Sequence, residues 1–180
     1  MHGLVSLLDP EHYFQVEKIW NELESGCGLT GIKVTPYPHF SWLIAEDFDW
    51  ALAETTLAKI AASAQPFTVH TTGLSLFTGP MPVAYIPLVR TTELSRFHLQ
   101  LWEQFQAVGR DISPHYAPEY WMPHITLAHT DLMPHALDCL MSRLAHRPFD
   151  WEIEVDNLAL LLGPQGQSGR LKRRFEFSKV

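Results

Sequence analysis

Apolar and polar positions in this chain change period several times, and the changes mark its elements. Residues 3–8 form a short apolar run closed by Asp9-Pro10. That pattern predicts a buried strand and then a helix, with Asp9 as N-cap and Pro10 at the first helical position. Tyr13, Phe14, Val16, Ile19, Trp20 and Leu23 then recur at helical spacing, and Ser25-Gly26 offers a stop. Gly28, Gly31, Pro36 and Pro38 make residues 26–38 a connection. Residues 39–44 alternate as a strand, with His39, Ser41 and Leu43 on one face and Phe40, Trp42 and Ile44 on the other. The second set belongs to the core, so His39 and Ser41 point together toward a cleft.

Residues 48–64 read as an Ala-rich amphipathic helix ended by Pro66. Residues 67–77 and 83–89 are β-like and joined by a turn-rich link, which predicts antiparallel neighbours. Helical periodicity resumes over 92–108, capped by Thr91 or Thr92 and closed by Gly109. Residues 110–123 read as the longest irregular connection, and connections of that length usually serve a function. A strand over 124–129 follows, placing His124, Thr126 and Ala128 on one face and Ile125, Leu127 and His129 on the other. A helix over 132–147 tolerates Pro134 in its first turn. Residues 149–162 and 170–177 read as two strands around a glycine-rich hairpin loop at 163–169.

The resulting order is β-α-β-α-β-β followed by α-β-α-β-β. Each half has a histidine-bearing strand, then a helix, then two strands. This predicts an α+β fold of two pseudo-twofold-related lobes, mostly antiparallel sheet with outer helices, forming one domain over residues 1–180. Such symmetry sets the two motif strands at the lobe junction, so that His39 and His124 face one another across a cleft.

Composition narrows the function. A formal charge of −7 over 180 residues argues against a protein that wraps a nucleic-acid backbone, because phosphate neutralisation needs clustered Lys and Arg. A nucleotide or an RNA end remains compatible. Cys27 and Cys139 have no metal-finger spacing and form no disulfide framework, so two free thiols in a reducing cytosol are expected. The first residues lack a signal-peptide pattern, and no apolar run approaches the ~20 residues of a membrane helix. The expected setting is cytoplasmic, without membrane contact.

Candidate chemistry centres on two short stretches. The pattern His-x-(Ser/Thr) alone is weak, since ten histidines give about one match by chance. His70-Thr71-Thr72 is such a match, without a preceding proline. The longer form Pro-His-apolar-(Ser/Thr)-apolar occurs twice, as Pro38-His39-Phe40-Ser41-Trp42 and Pro123-His124-Ile125-Thr126-Leu127, once in each half. In-line opening of a phosphodiester needs a base on one side of phosphorus and an acid on the other, and imidazole serves both near neutrality. Ser41 and Thr126 would donate hydrogen bonds to non-bridging oxygens, with no metal or other cofactor required.

On this motif pair the chain resembles the two-histidine (2H) phosphoesterase superfamily. That superfamily includes bacterial 2′,5′ RNA ligase-like proteins, RNA 2′,3′-cyclic phosphodiesterases and plant-type cyclic phosphodiesterases. The resemblance implies a bilobal fold, metal-free chemistry on cyclic or diester phosphates, catalytic His39 and His124, and phosphate-holding Ser41 and Thr126. Ser41 departs from the commoner Thr but keeps the hydroxyl. The family's hydrolytic reading makes His124 the base and His39 the acid. The expected partner is a nucleotide or RNA terminus bearing a cyclic phosphate.

Further residues invite weaker roles. Tyr37, Tyr120 and Trp121 flank the motifs and could stack on a nucleobase, and one of Arg170, Lys172, Arg173 and Arg174 could reach a phosphate. One rival reading is a metalloenzyme using His115, His124, His129 and His135 with Asp131, although His124 and His129 are expected on opposite strand faces. Others are a non-catalytic binder of nucleotides or RNA ends, 2′,5′ ligation as the reverse reaction, and a different diester such as a cyclic ADP-ribose derivative.

Overall fold

The structure, a computed structural model, describes residues 1–163 and 169–178. The described residues form ten strands and four α-helices, in the order β1 (His2–Leu7), α1 (Pro10–Cys27), β2 (His39–Phe48), α2 (Trp50–Ser63), β3 (Phe67–His70), β4 (Ser75–Phe77), β5 (Val83–Pro87), α3 (Thr92–Phe105), β6 (Gly109–Ile112), β7 (His124–Ala128), α4 (Pro134–Leu144), β8 (Glu152–Val155), β9 (Asn157–Leu162) and β10 (Arg170–Glu176). Short 3-10 turns occupy Gly31–Val34 and Pro114–Tyr116. The fold is α+β, and its strand pairings are antiparallel. No described helix is long and apolar enough to cross a membrane.

One sheet carries the order β10-β9-β1-β2-β7-β5-β4, with β6 also on β2, while β3 and β8 form a separate pair. Setting β10 aside, the order is a palindrome in which β9, β1 and β2 answer β4, β5 and β7. The repeat therefore runs β1-α1-β2-α2-β3-β4 and then β5-α3-β7-α4-β8-β9. The second unit opens one strand earlier than the sequence pattern implies, at β5 rather than at α3. Strands β2 and β7 meet at the pseudo-dyad, where Phe40 pairs with Ile125.

The register makes the repeat quantitative. Leu7 pairs with His39, Val5 with Ser41 and Leu4 with Leu43; in the second unit Pro87 pairs with His124, Tyr85 with Thr126 and Ala84 with Ala128. Trp42 and Leu127 are thus the extra residues of two equivalent β-bulges. A bulge adds one residue to one strand, and because side chains alternate with period two it reverses every face beyond it. Leu43 and Ala128, expected on the cleft face, are consequently buried in the core, and Ile44 and His129 turn to the cleft.

Helix boundaries follow local chemistry. The Asp9 carboxylate accepts the His12 amide, as an N-cap should. Helix α1 runs past the expected Ser25-Gly26 stop to Cys27. It ends where Gly28 adopts φ 71° and its N–H reaches the Glu24 carbonyl, a left-handed conformation that glycine takes without a Cβ clash. Thr91 caps α3, which closes at Phe105 and not at 108. Residues 67–77 divide into β3 and β4, which join different sheets, and residues 149–162 divide at Asp156 into β8 and β9. The stretch 110–123 is more ordered than expected, since β6 pairs with the second half of β2. Of the expected hairpin loop, residues 164–168 lie outside the described residues.

A buried polar link steadies β1 beside the first motif. Beyond Val5 the β9 ladder ends, and the Asn157 side chain takes its place, accepting the Leu7 amide at 3.0 Å and donating to the Leu7 carbonyl at 2.9 Å. Ser6 donates to the Asn157 carbonyl and accepts the Trp42 indole N–H. Each buried polar group in this link is satisfied, so it fixes the bulge without a desolvation penalty left open.

The cysteines correct one expectation. Cys27 at the end of α1 and Cys139 in α4 are joined as a disulfide across 112 residues of sequence. The free-thiol argument for a reducing cytosol therefore does not hold. Closing a loop of that length removes chain entropy from the unfolded state worth roughly 4–5 kcal/mol. Reduction, or a Cys27→Ser/Cys139→Ser pair, is expected to lower unfolding stability by several kcal/mol in urea titrations; identical curves with and without reductant would mean the thiols are free in solution.

Candidate active site

Each motif begins with a proline whose fixed φ turns the chain just before the strand. The turn presents the carbonyl two residues upstream of each histidine to that histidine's own ring. His39 Nδ1 lies 2.5 Å from the Tyr37 carbonyl and His124 Nδ1 lies 2.6 Å from the Met122 carbonyl. A carbonyl only accepts, so both Nδ1 atoms carry the proton and both Nε2 atoms keep a free lone pair. The proline carbonyls are used equivalently, accepting the amides of Leu8 and Leu88. One backbone device thus sets the same tautomer twice.

Strand geometry brings the four polar groups onto one face. With Phe40 opposite Ile125 in an antiparallel pair, His39 lies beside Thr126 and Ser41 beside His124. The imidazoles are then diagonal neighbours on adjacent strands, ~7–8 Å apart at the backbone. They do not confront each other from separate walls; they flank a point on the face of one continuous sheet.

The bulges leave carbonyls without ladder partners, and buried rings satisfy them. Trp121 Nε1 donates to the Ser41 carbonyl at 2.9 Å, and Trp20 Nε1 donates to the Thr126 carbonyl at 3.1 Å. His98 Nε2 donates to the Trp42 carbonyl at 3.1 Å, and its ring stacks on Trp121 with centroids 3.8 Å apart. Both hydroxyl residues are therefore held from behind by an indole. Leaving such buried carbonyls unpaired would cost ~1–3 kcal/mol each.

Two chambers open from this face. One, about 410 Å³, is lined by His39, Thr126, Ile44, His129, Thr35 and Ser113 among others. The second, about 420 Å³, is lined by His124, Phe77, Tyr120, Met122 and His115, with an edge of Trp121. Tyr116 borders both. Phe77 meets the His124 ring edge-on at 5.1 Å and Tyr85 lies 5.0 Å away, so this side is aromatic where the His39 side is aliphatic and hydroxylated.

Electrostatics follow from enclosure. Burial pulls the His39 imidazole down to about 4, with the nearby His124 adding to the effect and the Tyr37 carbonyl opposing it. Burial lowers His124 also, against its hydrogen bond to Met122. Both shifts leave the rings neutral at pH 7. Each keeps an exposed edge, and an anion settling there would favour the protonated form and raise both. Among the described residues, no Lys, Arg, Asp or Glu lines either chamber.

The other expected residues scatter. Tyr120 is 67% exposed and borders the His124 chamber. Trp121 is only 1% exposed, and His98 and Trp42 stack against it, so its proposed stacking on a base is replaced by a framework role. Tyr37 packs against the small apolar cluster of Val5, Leu7, Ala159 and Leu161. Three residues of the basic run are engaged elsewhere: Lys172 and Arg173 pair with Glu54, and Arg174 with Asp156 and Glu176. His70 lies on β3, in the separate two-stranded sheet. His115 and His129 border different chambers, and His135 lies in the first turn of α4. Among the described residues, no group of three or more His, Cys, Asp or Glu side chains could hold a metal ion.

Tyr116, His98 and Trp20 carry structural consequences that motif reading does not reach. Burial raises the Tyr116 phenol to about 12, with the Ser41 side chain opposing the shift. Its position follows from β6: the ladder on β2 continues as Ser113 N–H bonds to the Ile44 carbonyl, and the 3-10 turn Pro114–Tyr116 then carries the ring over the cleft.

Comparison with known proteins bears on the fold and the family. No curated protein matches the chain. Among solved structures, TT0787 of Thermus thermophilus superposes with a TM-score of 0.67 at 17% identity, covering 98% of this chain and 97% of that one. A protein described as a phosphoesterase gives 0.59 at 13% identity over 99% and 98%. Escherichia coli LigT, solved with ATP, gives 0.56 at 12% identity over 99% and 98%. These likenesses establish a common fold. A sequence profile described as the 2′-5′ RNA ligase superfamily matches residues 34–166, a span that includes both Pro-His motifs, and the chain belongs to that superfamily.

Proposed function

We propose that this protein is a metal-independent phosphoesterase that opens 2′,3′-cyclic phosphates of nucleotides or RNA ends, with His39 and His124 as its acid–base pair. The observation that carries this reading is the paired geometry. Two Nδ1-protonated imidazoles lie diagonally on one sheet face, each beside the hydroxyl residue of the other's motif. A phosphoryl group between them would have a proton acceptor on one side, a donor on the other, and Ser41 and Thr126 at its non-bridging oxygens. Each well-placed donor of that kind lowers the barrier by roughly 3 kcal/mol. The lining also favours a singly charged diester: the chambers present neutral donors and aromatic surface, and one protonated imidazole balances one negative charge.

The walls support a polarity opposite to the one the family's hydrolytic reading implies. The aromatic chamber with Tyr120 and Phe77 suits a nucleobase, a contact worth ~1–3 kcal/mol per base. A base there brings its ribose to the His124 side. In ring opening His124 would then protonate the leaving ribose oxygen, while His39, which burial holds more firmly neutral, removes the proton from water. LigT was solved with ATP, which is in keeping with a nucleotide in such a cleft.

A second reading has its own observation. The chamber beside His39, about 410 Å³, far exceeds the ~30 Å³ share of one water molecule. An alcohol fits there as readily as water, so the site also suits joining a cyclic phosphate to a second nucleoside, or cleaving the diester so formed.

A panel of 2′,3′-cyclic mononucleotides, a cyclic-phosphate RNA, 2′,5′-linked dinucleotides and cyclic ADP-ribose phosphates tests both readings. His39→Ala and His124→Ala are each expected to lower kcat/KM by about 10²–10⁴-fold. Full activity in either variant would remove the two-histidine mechanism, and tight binding without turnover would identify a non-catalytic binder. A cyclic substrate with sulfur at the leaving position needs no acid, and it is expected to restore His124→Ala but not His39→Ala; the opposite pattern would return the acid role to His39.

The pH dependence follows from the two lowered imidazoles. The base works only above its own pKa and the acid only below its own. Both lie below the ordinary 6.5 in the free protein, so kcat/KM is expected to peak on the acid side of 6.5. Bound phosphate raises both groups, so the kcat profile should sit at higher pH than that of kcat/KM. An optimum for kcat/KM above pH 7 would contradict the assigned environment.

A further inference from the structure

The walls beside the two histidines differ at matched positions of the repeat. On the His124 side Tyr85 stands opposite Thr126, and Phe77 lies on the next strand out, opposite Val83. The same register on the His39 side sets Val5 opposite Ser41 and Leu161 opposite Gly3. Two aromatic residues are thus answered by two aliphatic ones, and Ile32, Ile44 and Leu162 extend the hydrocarbon lining of the chamber. Gly3 keeps its floor open, because a Cβ there would come within 3.1 Å of Ile44 Cδ1 and 3.2 Å of Val5 Cγ1. From Leu7, which pairs with His39, to Gly3 the β1 strand runs roughly 13 Å, so the lining reaches well beyond the space a water molecule needs.

Resting on the phosphoesterase reading, we propose that the chamber beside His39 is a subsite for an uncharged aliphatic alcohol, and that the protein interconverts a 2′,3′-cyclic nucleotide and an alkyl nucleotidyl diester. As the alcohol oxygen bonds to phosphorus, its proton passes to His39. The bond from phosphorus to one ribose oxygen breaks, and His124 protonates that oxygen. The reverse steps cleave the diester and return the alcohol, so no further reactant is needed. The lining selects against the other acceptors. An RNA end that carries its own phosphate would set a charge against hydrocarbon, with no Lys or Arg among the described lining residues to balance it. Burial lowers the imidazole of His2, and it lowers that of His129 against the nearby Asp131 carboxylate, so neither supplies that charge at pH 7. A nucleobase would find, Tyr116 apart, no described Phe, Tyr or Trp to stack on.

The test is a chain-length series. A 2′,3′-cyclic nucleotide is turned over in equal concentrations of ethanol, propanol, butanol or pentanol, and the alkyl diester formed is measured against the monophosphate. These primary alcohols are nearly equal nucleophiles, so the slope of the series reports burial. The ratio is expected to rise about threefold to fourfold for each added methylene. A flat series, or a nucleoside acceptor preferred to pentanol, would overturn the proposal. Two variants locate the effect, each read only against its own series so that a lower overall rate does not enter. Ile44→Thr exchanges hydrocarbon for a hydroxyl and should reduce the slope to about twofold or less, while Gly3→Ala drives Ile44 into the chamber and should end the gain at a shorter alcohol. Parental slopes in both variants would place the alcohol elsewhere and refute the subsite.

Calorimetric binding of the ethyl to pentyl diesters of a nucleoside phosphate separates this proposal from the functional reading beneath it. Turnover of cyclic nucleotides with a flat alcohol series leaves the phosphoesterase reading standing and removes the subsite. If the protein turns over no cyclic nucleotide, the phosphoesterase reading fails and the subsite is judged on binding: affinity that climbs with chain length in the parent protein and less steeply in Ile44→Thr upholds it, and affinity independent of chain length refutes it with the rest.

Discussion

The arrangement at the centre of this fold depends on a hydrogen bond made within each motif, from a histidine Nδ1–H to the carbonyl two residues before it. The intervening proline contributes its fixed φ, and the residue before it is held extended. This arrangement commits one ring nitrogen to the backbone and directs the other at the cleft. Without it either tautomer would be open to each imidazole, and neither ring would present a defined nitrogen to the cleft. The bulge three residues later is the complementary constraint. It lets the strand show a histidine and a hydroxyl to the cleft and then bury Leu43 or Ala128 immediately afterwards.

These constraints extend outward into the core. A bulge interrupts the ladder, and the interrupted carbonyls lie too deep to reach water. Trp121, Trp20 and His98 answer them, which links the motif strands to helix α1, helix α3 and the loop before β7. Arg90 holds that loop in turn, donating to the carbonyls of Trp121 and Pro118. The Cys27–Cys139 link and the Asp131 carboxylate, which accepts the amides of Thr30 and Gly31, fasten the end of α1 and its following turn to the segment after β7. Gly31 has a specific reason to be glycine: a Cβ there would come within 2.1 Å of the His129 carbonyl. The two half-sites thus share a backbone plan and differ in their walls, one hydroxylated and one aromatic.

Much of this was legible in the residues. The alternation around His39 and His124, the repeated Pro-His pattern, and the caps at Asp9 and Thr91 are local signals that tertiary packing did not override. What was not legible depended on partners distant in sequence. Nothing near Trp42 or Leu127 announces a bulge, because both are apolar in strands of apolar alternation, so alternation alone places Ile44 and His129 on the wrong face. Trp121 flanks a motif as a candidate for base stacking, and only the fold supplies Ser41 and His98 as its neighbours. Tyr116 has no motif of its own and reaches the site through β6, a short strand hidden in an apparent loop. The cysteines are 112 residues apart and become partners only when α4 packs beside α1.

The most direct measurement of the central claim is nitrogen-15 NMR of the imidazoles, correlating each ring nitrogen with its carbon-bound protons at pH 7, before and after addition of a nucleotide phosphate. His39 and His124 are expected to be neutral and Nδ1-protonated in the free protein, and addition of the anion should shift both Nε2 signals together toward the protonated form. An Nε2-protonated tautomer at either ring, or a response from one histidine while the other stays silent, would contradict the paired site.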